Sequence, residues 1–105
     1  MAVAVVSQFR VTQGRRDEFI KEAGVAKSLH EKLGGRVRMY NSSLAGPNTG
    51  IITYVNEFDD HAAYAAYTLK AQADQELQTF LARALGGANP AATYVSQSML
   101  VEIPL

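Results

Sequence analysis

The sequence contains no cysteine, and this absence removes several classes of chemistry. Disulfides, thiolate nucleophiles, iron–sulfur clusters and zinc sites with cysteine ligands are all excluded. Because nothing in the composition requires an oxidising compartment, we expect a cytoplasmic protein. Long apolar runs are also missing. None approaches the roughly 20 residues that a membrane-spanning helix needs, so we expect no membrane as a partner.

A net charge is absent as well, since ten basic and ten acidic residues balance. No long-range field therefore favours nucleic acid as a partner. The chain also lacks a glycine-rich phosphate loop, a Gly-x-Ser-x-Gly elbow and a His-Glu-x-x-His metal motif. The apolar start, MAVAVVSQFRV, is short and has no basic region before it, which is typical of a strand and not of a signal peptide.

What the sequence does contain is a regular succession of strand and helix patterns. The 105 residues, 48% of them hydrophobic, fit a single domain spanning 1–105. Four segments rich in β-branched or aromatic residues and bounded by turn formers are typical of strands. They are Val3–Val11, Arg36–Leu44, Ile51–Phe58 and Thr93–Ile103.

Two longer segments show helical periodicity. The first begins near Arg15, ends at Gly34-Gly35 and carries an apolar stripe formed by Phe19, Ala23, Ala26, His30 and Leu33. The second follows Asp59-Asp60, which can cap a helix, and ends at Gly86-Gly87. Its stripe consists of Ala62, Ala66, Leu69, Ala73, Leu77, Phe80 and Ala84. Asp74 lies inside this stripe and can cap a new helix, so the pattern allows a break there.

The order β-α-β-β-α-β predicts an α+β, ferredoxin-like protomer. Right-handed crossovers then give a four-stranded antiparallel sheet with both helices on one face, and the second and third strands pair as a hairpin. An antiparallel sheet with one wet face alternates apolar and polar residues. Here both faces are largely apolar. In the last strand, for example, alternation places Val95, Met99 and Val101 on one side and Tyr94 and Leu100 on the other.

Two helices can cover only one face of such a sheet. The residual apolar patch would exceed what monomers usually expose. We therefore expect a homodimer in which the free sheet faces of two copies meet around a two-fold axis.

Two pieces of the sequence resemble the dimeric α+β barrel superfamily, and within it the NIPSNAP-like and antibiotic-biosynthesis-monooxygenase-like branches. They are VTQGRRDEF, which leads into the first helix, and FDDHAAYAAYTLKAQADQELQTFLARAL. The resemblance covers nearly the whole chain. It implies a ferredoxin-like protomer, a homodimeric barrel and often a pocket between helices and sheet. It does not imply one reaction, because the superfamily includes oxygenases, haem proteins and isomerases.

His30 is the principal candidate for a catalytic residue. It lies on the apolar stripe of the first helix and should point towards the sheet, where it could act as a base or a hydrogen-bond donor. The alternative is a half-buried histidine satisfied by a backbone carbonyl or water. His61 follows Asp59 and Asp60, but helix capping explains that cluster, and we predict no metal site.

Four further residues are candidates for ligand binding: Tyr54, Tyr64, Tyr67 and Asn56. Small alanines beside the two helical tyrosines could leave space for a flat ligand that phenol groups orient. Packing at a rim or an interface explains the tyrosines equally well. Polar residues inside strands, among them Asn56, Ser7, Gln8, Asn41–Ser43 and Ser96–Ser98, could line a pocket or pair with each other across strands or across the dimer.

These residues leave two classes of function open. In the first, the protein is a non-catalytic dimer that binds a small apolar molecule between helices and sheet, or serves a structural role. In the second, it is a cofactor-independent monooxygenase or isomerase acting on a small apolar substrate, with His30 as base and Tyr64, Tyr67 and Asn56 orienting the substrate. Haem binding with His30 as axial ligand is a third alternative. We predict no cofactor for the first two.

Overall fold

The computed structural model describes residues 1–42, 50–87 and 89–105. Their strands are β1 (Val3–Val11), β2 (Arg36–Asn41), β3 (Ile51–Phe58) and β4 (Ala92–Val101). Their helices are α1 (Arg16–Lys32), α2 (His61–Ala73) and α3 (Gln75–Gly86). The last residues of the predicted second strand, Ser43 and Leu44, lie outside the described residues, as does most of the loop that follows.

The four strands form one antiparallel sheet in the order β2-β3-β1-β4. The predicted hairpin of β2 and β3 is present, with Val37 opposite Asn56 and Met39 opposite Tyr54. Alternate residues of the strands face the helices, and the central ones, such as Val3 and Phe58, are fully buried. The predicted α+β, ferredoxin-like architecture is confirmed. No described helix is long and apolar enough to cross a membrane.

The break at Asp74, which the sequence pattern allowed but did not decide, is present, and capping explains it. A carboxylate oxygen of Asp74 accepts a hydrogen bond from the backbone N–H of Leu77 at 2.8 Å, which starts α3. Asp60 starts α2 in the same way, accepting from the N–H of Ala63 at 2.8 Å. Aspartate at these positions satisfies backbone donors that have no partner inside the helix.

The stripe predicted for the first half of this segment is wrong. Leu69 is 71% exposed, and Ala62, Ala66 and Ala73 are exposed with it. The face turned to the sheet instead carries Ala63, Tyr64, Tyr67, Thr68 and Ala71. Two tyrosine rings bury far more apolar area than a row of methyl groups, so they decide the orientation of α2. Because the helix is interrupted at Asp74, the buried face of α2 need not continue the buried face of α3. In α3, Leu77 and Phe80 are buried as predicted.

In β4, the prediction that Tyr94 lies on the same side of the sheet as Leu100 is wrong. A register shift between Gln8 and Phe9 puts an extra residue into β4, so that Tyr94 lies opposite Phe9 while Ser96 lies opposite Gln8. The rings of Tyr94 and Phe9 meet edge to face, with centroids 5.4 Å apart. Tyr94 therefore shares the helix side with Met99 and not the outer side with Leu100. A bulge of this kind defeats simple alternation.

Two clusters of buried residues form the core between helices and sheet. One consists of Ala26, Leu29, Leu33, Ala71, Leu77 and Phe80. The other consists of Phe9, Phe19, Ile52, Ala91 and Ala92. Tyr54 packs against both clusters. The space between the clusters is not filled.

Candidate functional site

A cavity of about 380 Å³ lies between the helices and the sheet, where the two core clusters meet. Its walls are mainly apolar and come from all three helices and from β1, β3 and β4. The lining residues on the strands are Ser7, Phe9, Tyr54, Tyr94 and Gln97. Those on the helices are Phe19, Glu22, Ala23, Ala26, His30, Tyr67, Phe80, Leu81, Ala84 and Leu85. Small alanines on α1 and α3 provide the space, because their side chains end at Cβ.

His30 lines this cavity from α1, and its ring is held in place by Tyr67 of α2. The His30 Nδ1 atom lies 2.5 Å from the Tyr67 hydroxyl oxygen. The ring of Tyr54 lies on another side of the imidazole, with centroids 6.0 Å apart. Burial lowers the pKa of His30, because a low-dielectric surrounding disfavours the charged imidazolium. At neutral pH His30 is therefore an uncharged imidazole with one donor and one acceptor nitrogen.

Tyr67 is the second predicted residue that lines the cavity. Its ring packs on Phe58, with centroids 4.8 Å apart. Burial and the neighbouring Tyr64 raise the pKa of Tyr67, and the side-chain amide of Asn56 partly opposes this increase. The phenol therefore stays protonated and available as a donor.

Tyr54 is the third, but its ring and its hydroxyl have different surroundings. The ring lines the cavity, whereas the hydroxyl oxygen is enclosed and has no hydrogen-bond partner among the described residues. Burial raises the pKa of Tyr54 well above its usual range, with smaller contributions from Tyr67 and Glu31. Tyr54 thus supplies an aromatic wall, and its hydroxyl does not reach the cavity space.

The other two predicted ligand-binding residues lie behind the cavity wall. Tyr64 packs edge to face on Phe58, with centroids 5.3 Å apart, and does not line the cavity. Asn56 is 6% exposed and faces the start of β2. A Cβ atom at Gly35 would lie 2.0 Å from the Asn56 Oδ1 atom, so a side chain at position 35 would force the Asn56 amide to move. Whether any of these residues contacts a ligand stays a prediction.

Ser7 of β1 and Gln97 of β4 are polar lining residues that were not among the predicted site residues. The Gln97 side-chain amide donates to the Ser7 hydroxyl at 3.4 Å. Both belong to the polar strand positions noted in the sequence, which was the signal that could have selected them. The adjacent pair, Ser96 and Gln8, bonds across the same two strands at 3.0 Å but lies on the outer face of the sheet, so the polar pattern marks the cavity in only one of the two pairs.

Charge is sparse around the cavity. Glu22 is the one carboxylate among the described lining residues, and no lysine or arginine lines the cavity there. The Asp-Asp-His cluster at the start of α2 is explained by structure, since Asp60 caps the helix and Asp59 pairs with Arg36 at 2.7 Å. Within residues 1–42, 50–87 and 89–105, no group of three acidic or histidine side chains is placed to hold a metal ion.

Comparison with known proteins identifies the fold. No protein-family model matches the chain, and no curated protein matches it in sequence. Solved structures do match over almost the full length. A NIPSNAP domain protein from Burkholderia xenovorans is 20% identical, with 98% of this chain and 95% of that chain covered and a TM-score of 0.69.

Two further structures support the same fold. SnoaB, a cofactor-independent oxygenase from Streptomyces nogalater, is 15% identical with a TM-score of 0.68, covering 99% of this chain and 95% of that one. A NIPSNAP family protein from Agrobacterium tumefaciens is 16% identical with a TM-score of 0.67, covering 100% and 94%. At these identities the likeness concerns the fold alone. The chain has the protomer fold that NIPSNAP domain proteins share with SnoaB, as the resemblance of its sequence to the dimeric α+β barrel superfamily predicts.

Proposed function

We propose that the protein binds a small apolar molecule in the cavity between helices and sheet. The observation that carries this proposal is the cavity itself, with apolar walls and a few polar groups among them. Ligand sites in proteins are typically of this volume and composition. The space of about 380 Å³ is partly open to solvent, so a small molecule could enter it.

Filling the cavity tests this proposal. Ala84 lines the cavity from α3, and Ala84→Phe should place a ring in the space without removing any polar group. Ala82→Phe is the matched control, because Ala82 is exposed on the other side of the same helix. With 2-isopropenylnaphthalene and 2-acetylnaphthalene as apolar probes in calorimetric titrations, the wild type and Ala82→Phe should bind, and Ala84→Phe should not. Equal binding by all three proteins would refute the cavity as the site.

We also propose that the protein works as a homodimer joined through the outer sheet face. The accessible surface is 6850 Å², whereas a folded monomer of this mass usually exposes roughly 5,800 Å². The radius of gyration is 14.2 Å, against about 13 Å for a compact domain of this length. An excess of about 1,000 Å² is comparable with the area of about 800 Å² that each partner buries in a standard interface.

The residues on the outer face suit such an interface. Val6, Val55 and Leu100 project from β1, β3 and β4 away from the helices, and Leu100 is 55% exposed. The charge of Arg36 on the same face is compensated within the chain, because Arg36 pairs with Glu57 at 2.9 Å and with Asp59 at 2.7 Å. A second copy could therefore cover the face without leaving this arginine unpaired.

Cofactor-independent oxygenation or isomerisation is the second candidate function, with His30 as base. It is favoured by the fold likeness to SnoaB, which is such an oxygenase, and by the uncharged imidazole in an apolar cavity. Both reactions can begin when a base removes a proton next to a carbonyl. Exchange of the methyl protons of 2-acetylnaphthalene in deuterated water, followed by NMR, measures that step. An equal exchange rate with the wild type and His30→Leu would exclude His30 as the base.

A further inference from the structure

We infer that Tyr67 holds His30 in the tautomer with the proton on Nε2, and that the cavity thereby recognises the carbonyl oxygen of an uncharged, apolar molecule. This inference rests on the proposed binding function of the cavity. In the inferred complex, His30 donates a hydrogen bond and the ligand accepts it. Tyr67 then acts as a positioning residue, through His30.

The first step is the direction of the bond between His30 Nδ1 and the Tyr67 hydroxyl. Burial keeps the imidazole uncharged and the phenol protonated, as the lowered pKa of His30 and the raised pKa of Tyr67 indicate. A phenol is a better donor than acceptor, because its oxygen lone pair is delocalised into the ring, whereas an imine nitrogen is a good acceptor. We therefore infer that the Tyr67 O–H donates the hydrogen bond and that His30 Nδ1 accepts it. A neutral imidazole has one proton, which then lies on Nε2.

The second step is the fate of the Nε2–H group. No described residue accepts a hydrogen bond from Nε2. Nor is Nε2 one of the fully enclosed side-chain atoms without a partner, which are the Tyr54 hydroxyl and the Asn56 Oδ1 atom. Because His30 lines the cavity, its Nε2–H is an accessible donor that an acceptor on a ligand can satisfy.

A second donor lies on the opposite, strand side of the cavity. Ser7 is 8% exposed and accepts from the Gln97 amide, so its own hydroxyl proton is free to donate. Gln97 and Ser7 come from neighbouring strands, and both line the cavity. The helix side and the strand side of the cavity therefore each present one neutral donor.

The charges around the cavity restrict the ligand further. With Glu22 as the one charged group among the described lining residues, an anionic ligand would meet a like charge and no cation. A cationic ligand would have Glu22 as a counter-charge, but it would lose its hydration among walls built from Phe9, Phe19 and Phe80, and as a donor it would leave the His30 donor unsatisfied. A ligand without an acceptor would leave the His30 donor unsatisfied. An uncharged molecule with a carbonyl oxygen meets all three conditions.

The inferred tautomer bears on two other roles considered for His30, those of a general base and of an axial haem ligand. A general base and an axial haem ligand both need an unprotonated nitrogen facing the bound group. In the inferred tautomer Nε2, for which no described residue is an acceptor, carries the proton, and the lone pair on Nδ1 is occupied by Tyr67. The resting arrangement of the site therefore does not fit haem, and the second candidate function, with His30 as base, would require the other tautomer.

Nitrogen NMR of the protein tests the tautomer without any ligand. Long-range ¹H–¹⁵N correlations distinguish the protonated from the unprotonated ring nitrogen, at a pH of about 7.5. We expect wild-type His30 to be protonated on Nε2, and Tyr64→Phe, one turn away and outside the cavity, to keep that pattern. Tyr67→Phe should give a mixture of tautomers. A wild-type His30 protonated on Nδ1 would overturn the inference, whether or not the Tyr67 variant folds.

A matched pair of probes tests the ligand class. 2-Acetylnaphthalene and 2-isopropenylnaphthalene have almost the same shape, but only the former has a carbonyl oxygen. One neutral hydrogen bond should make the ketone bind roughly three- to tenfold more tightly to the wild type. In His30→Leu this preference should disappear, and His61→Leu should retain it.

The outcomes separate this inference from the proposed function. Equal affinity of the wild type for both probes would overturn the recognition of a carbonyl and leave the cavity as a binding site. Tighter binding of 2-naphthoate than of the ketone would also overturn it, because the ligand would then be an anion. Failure of both uncharged probes to bind would refute the binding function itself, while the NMR result on the tautomer would still stand.

Discussion

Three tyrosine hydroxyls beneath the helices have different surroundings, and this difference determines what each residue contributes to stability. Tyr67 donates to His30, Tyr64 packs at the margin of the layer, and the Tyr54 hydroxyl is enclosed without a partner among the described residues. A buried polar group without a partner costs about 1–3 kcal/mol, whereas a satisfied one contributes about 1 kcal/mol. The same chemical change should therefore have opposite effects at two of these positions.

Tyr54→Phe should raise the free energy of unfolding by about 1 kcal/mol, because it removes the unsatisfied hydroxyl and keeps the aromatic wall. Tyr67→Phe should lower it by a similar amount, because it removes the bond to His30. Urea unfolding at neutral pH measures both changes, and Tyr64→Phe serves as the reference. A loss of stability in Tyr54→Phe would show that its hydroxyl has a partner, such as an enclosed water molecule.

The lowered pKa of His30 predicts how stability depends on pH. Tyr54 and Tyr67 are the titratable groups that face the imidazole from the packed elements, and Glu22 lies on its own helix. Because the unfolded chain takes up the proton first as the pH falls below about 6.5, the free energy of unfolding should decrease from there towards the folded pKa. Above that range both states are neutral and the contribution is constant.

Urea unfolding at pH values of about 7.5 and 5.5 checks this dependence, in a range above the ordinary titration of carboxylates. The wild type should lose more stability between the two than His30→Leu does, with an upper limit of about 1.4 kcal/mol per pH unit for one group. His61→Leu removes the other imidazole and is the matched control for the substitution. The same loss in His30→Leu as in the wild type would contradict the prediction.

At the scale of the elements, Asp74 determines where one helix ends and the next begins. Asp74→Ala should lower the free energy of unfolding by about 1 kcal/mol, because the N–H of Leu77 loses its acceptor. Asp74→Asn is the matched control, since an asparagine caps nearly as well. Thermal unfolding followed by circular dichroism compares the three proteins. Equal destabilisation by Asn and Ala would mean that the charge of Asp74, and not the cap, is what matters.

The elements also show how far the sequence determines this structure. Strand and helix positions, the hairpin and the break at Asp74 follow from local patterns, since β-branched runs, glycine pairs and caps act within a few residues. The orientation of α2 does not, because it depends on whether Tyr64 and Tyr67 or the alanines cover Phe58. The side of β4 on which Tyr94 lies depends on a bulge, which the chain pattern does not reveal.

The candidate site was predictable to a similar extent. The position of His30 on the apolar stripe of α1 indicated that it faces the sheet, and the structure places it in the cavity wall with Tyr54 and Tyr67. What the stripe could not show is the contact between His30 and Tyr67, which are 37 residues apart. Tyr64 lies one turn from Tyr67 and misses the cavity. A single turn of helix thus separates a lining residue from a packing residue.

At the scale of the whole molecule, the protomer is a thin slab, with extents of 39 × 38 × 17 Å. A sheet covered by helices on one side only has this shape, and its other side remains open. Leu100→Glu places a charge on that open side at a position already 55% exposed, so it should not disturb the fold. Buried in a dimer, however, the same carboxylate would lose its hydration, which would cost several kcal/mol.

Light scattering coupled to size exclusion, at micromolar concentration, should therefore give the mass of a dimer for the wild type and of a monomer for Leu100→Glu. Leu69→Glu is the matched control, because Leu69 is equally apolar and 71% exposed but lies on the outer side of α2, away from the sheet. It should remain a dimer. A wild type with the mass of one chain would refute the dimer. Dissociation by Leu69→Glu and not by Leu100→Glu would move the interface to the helix side of the slab.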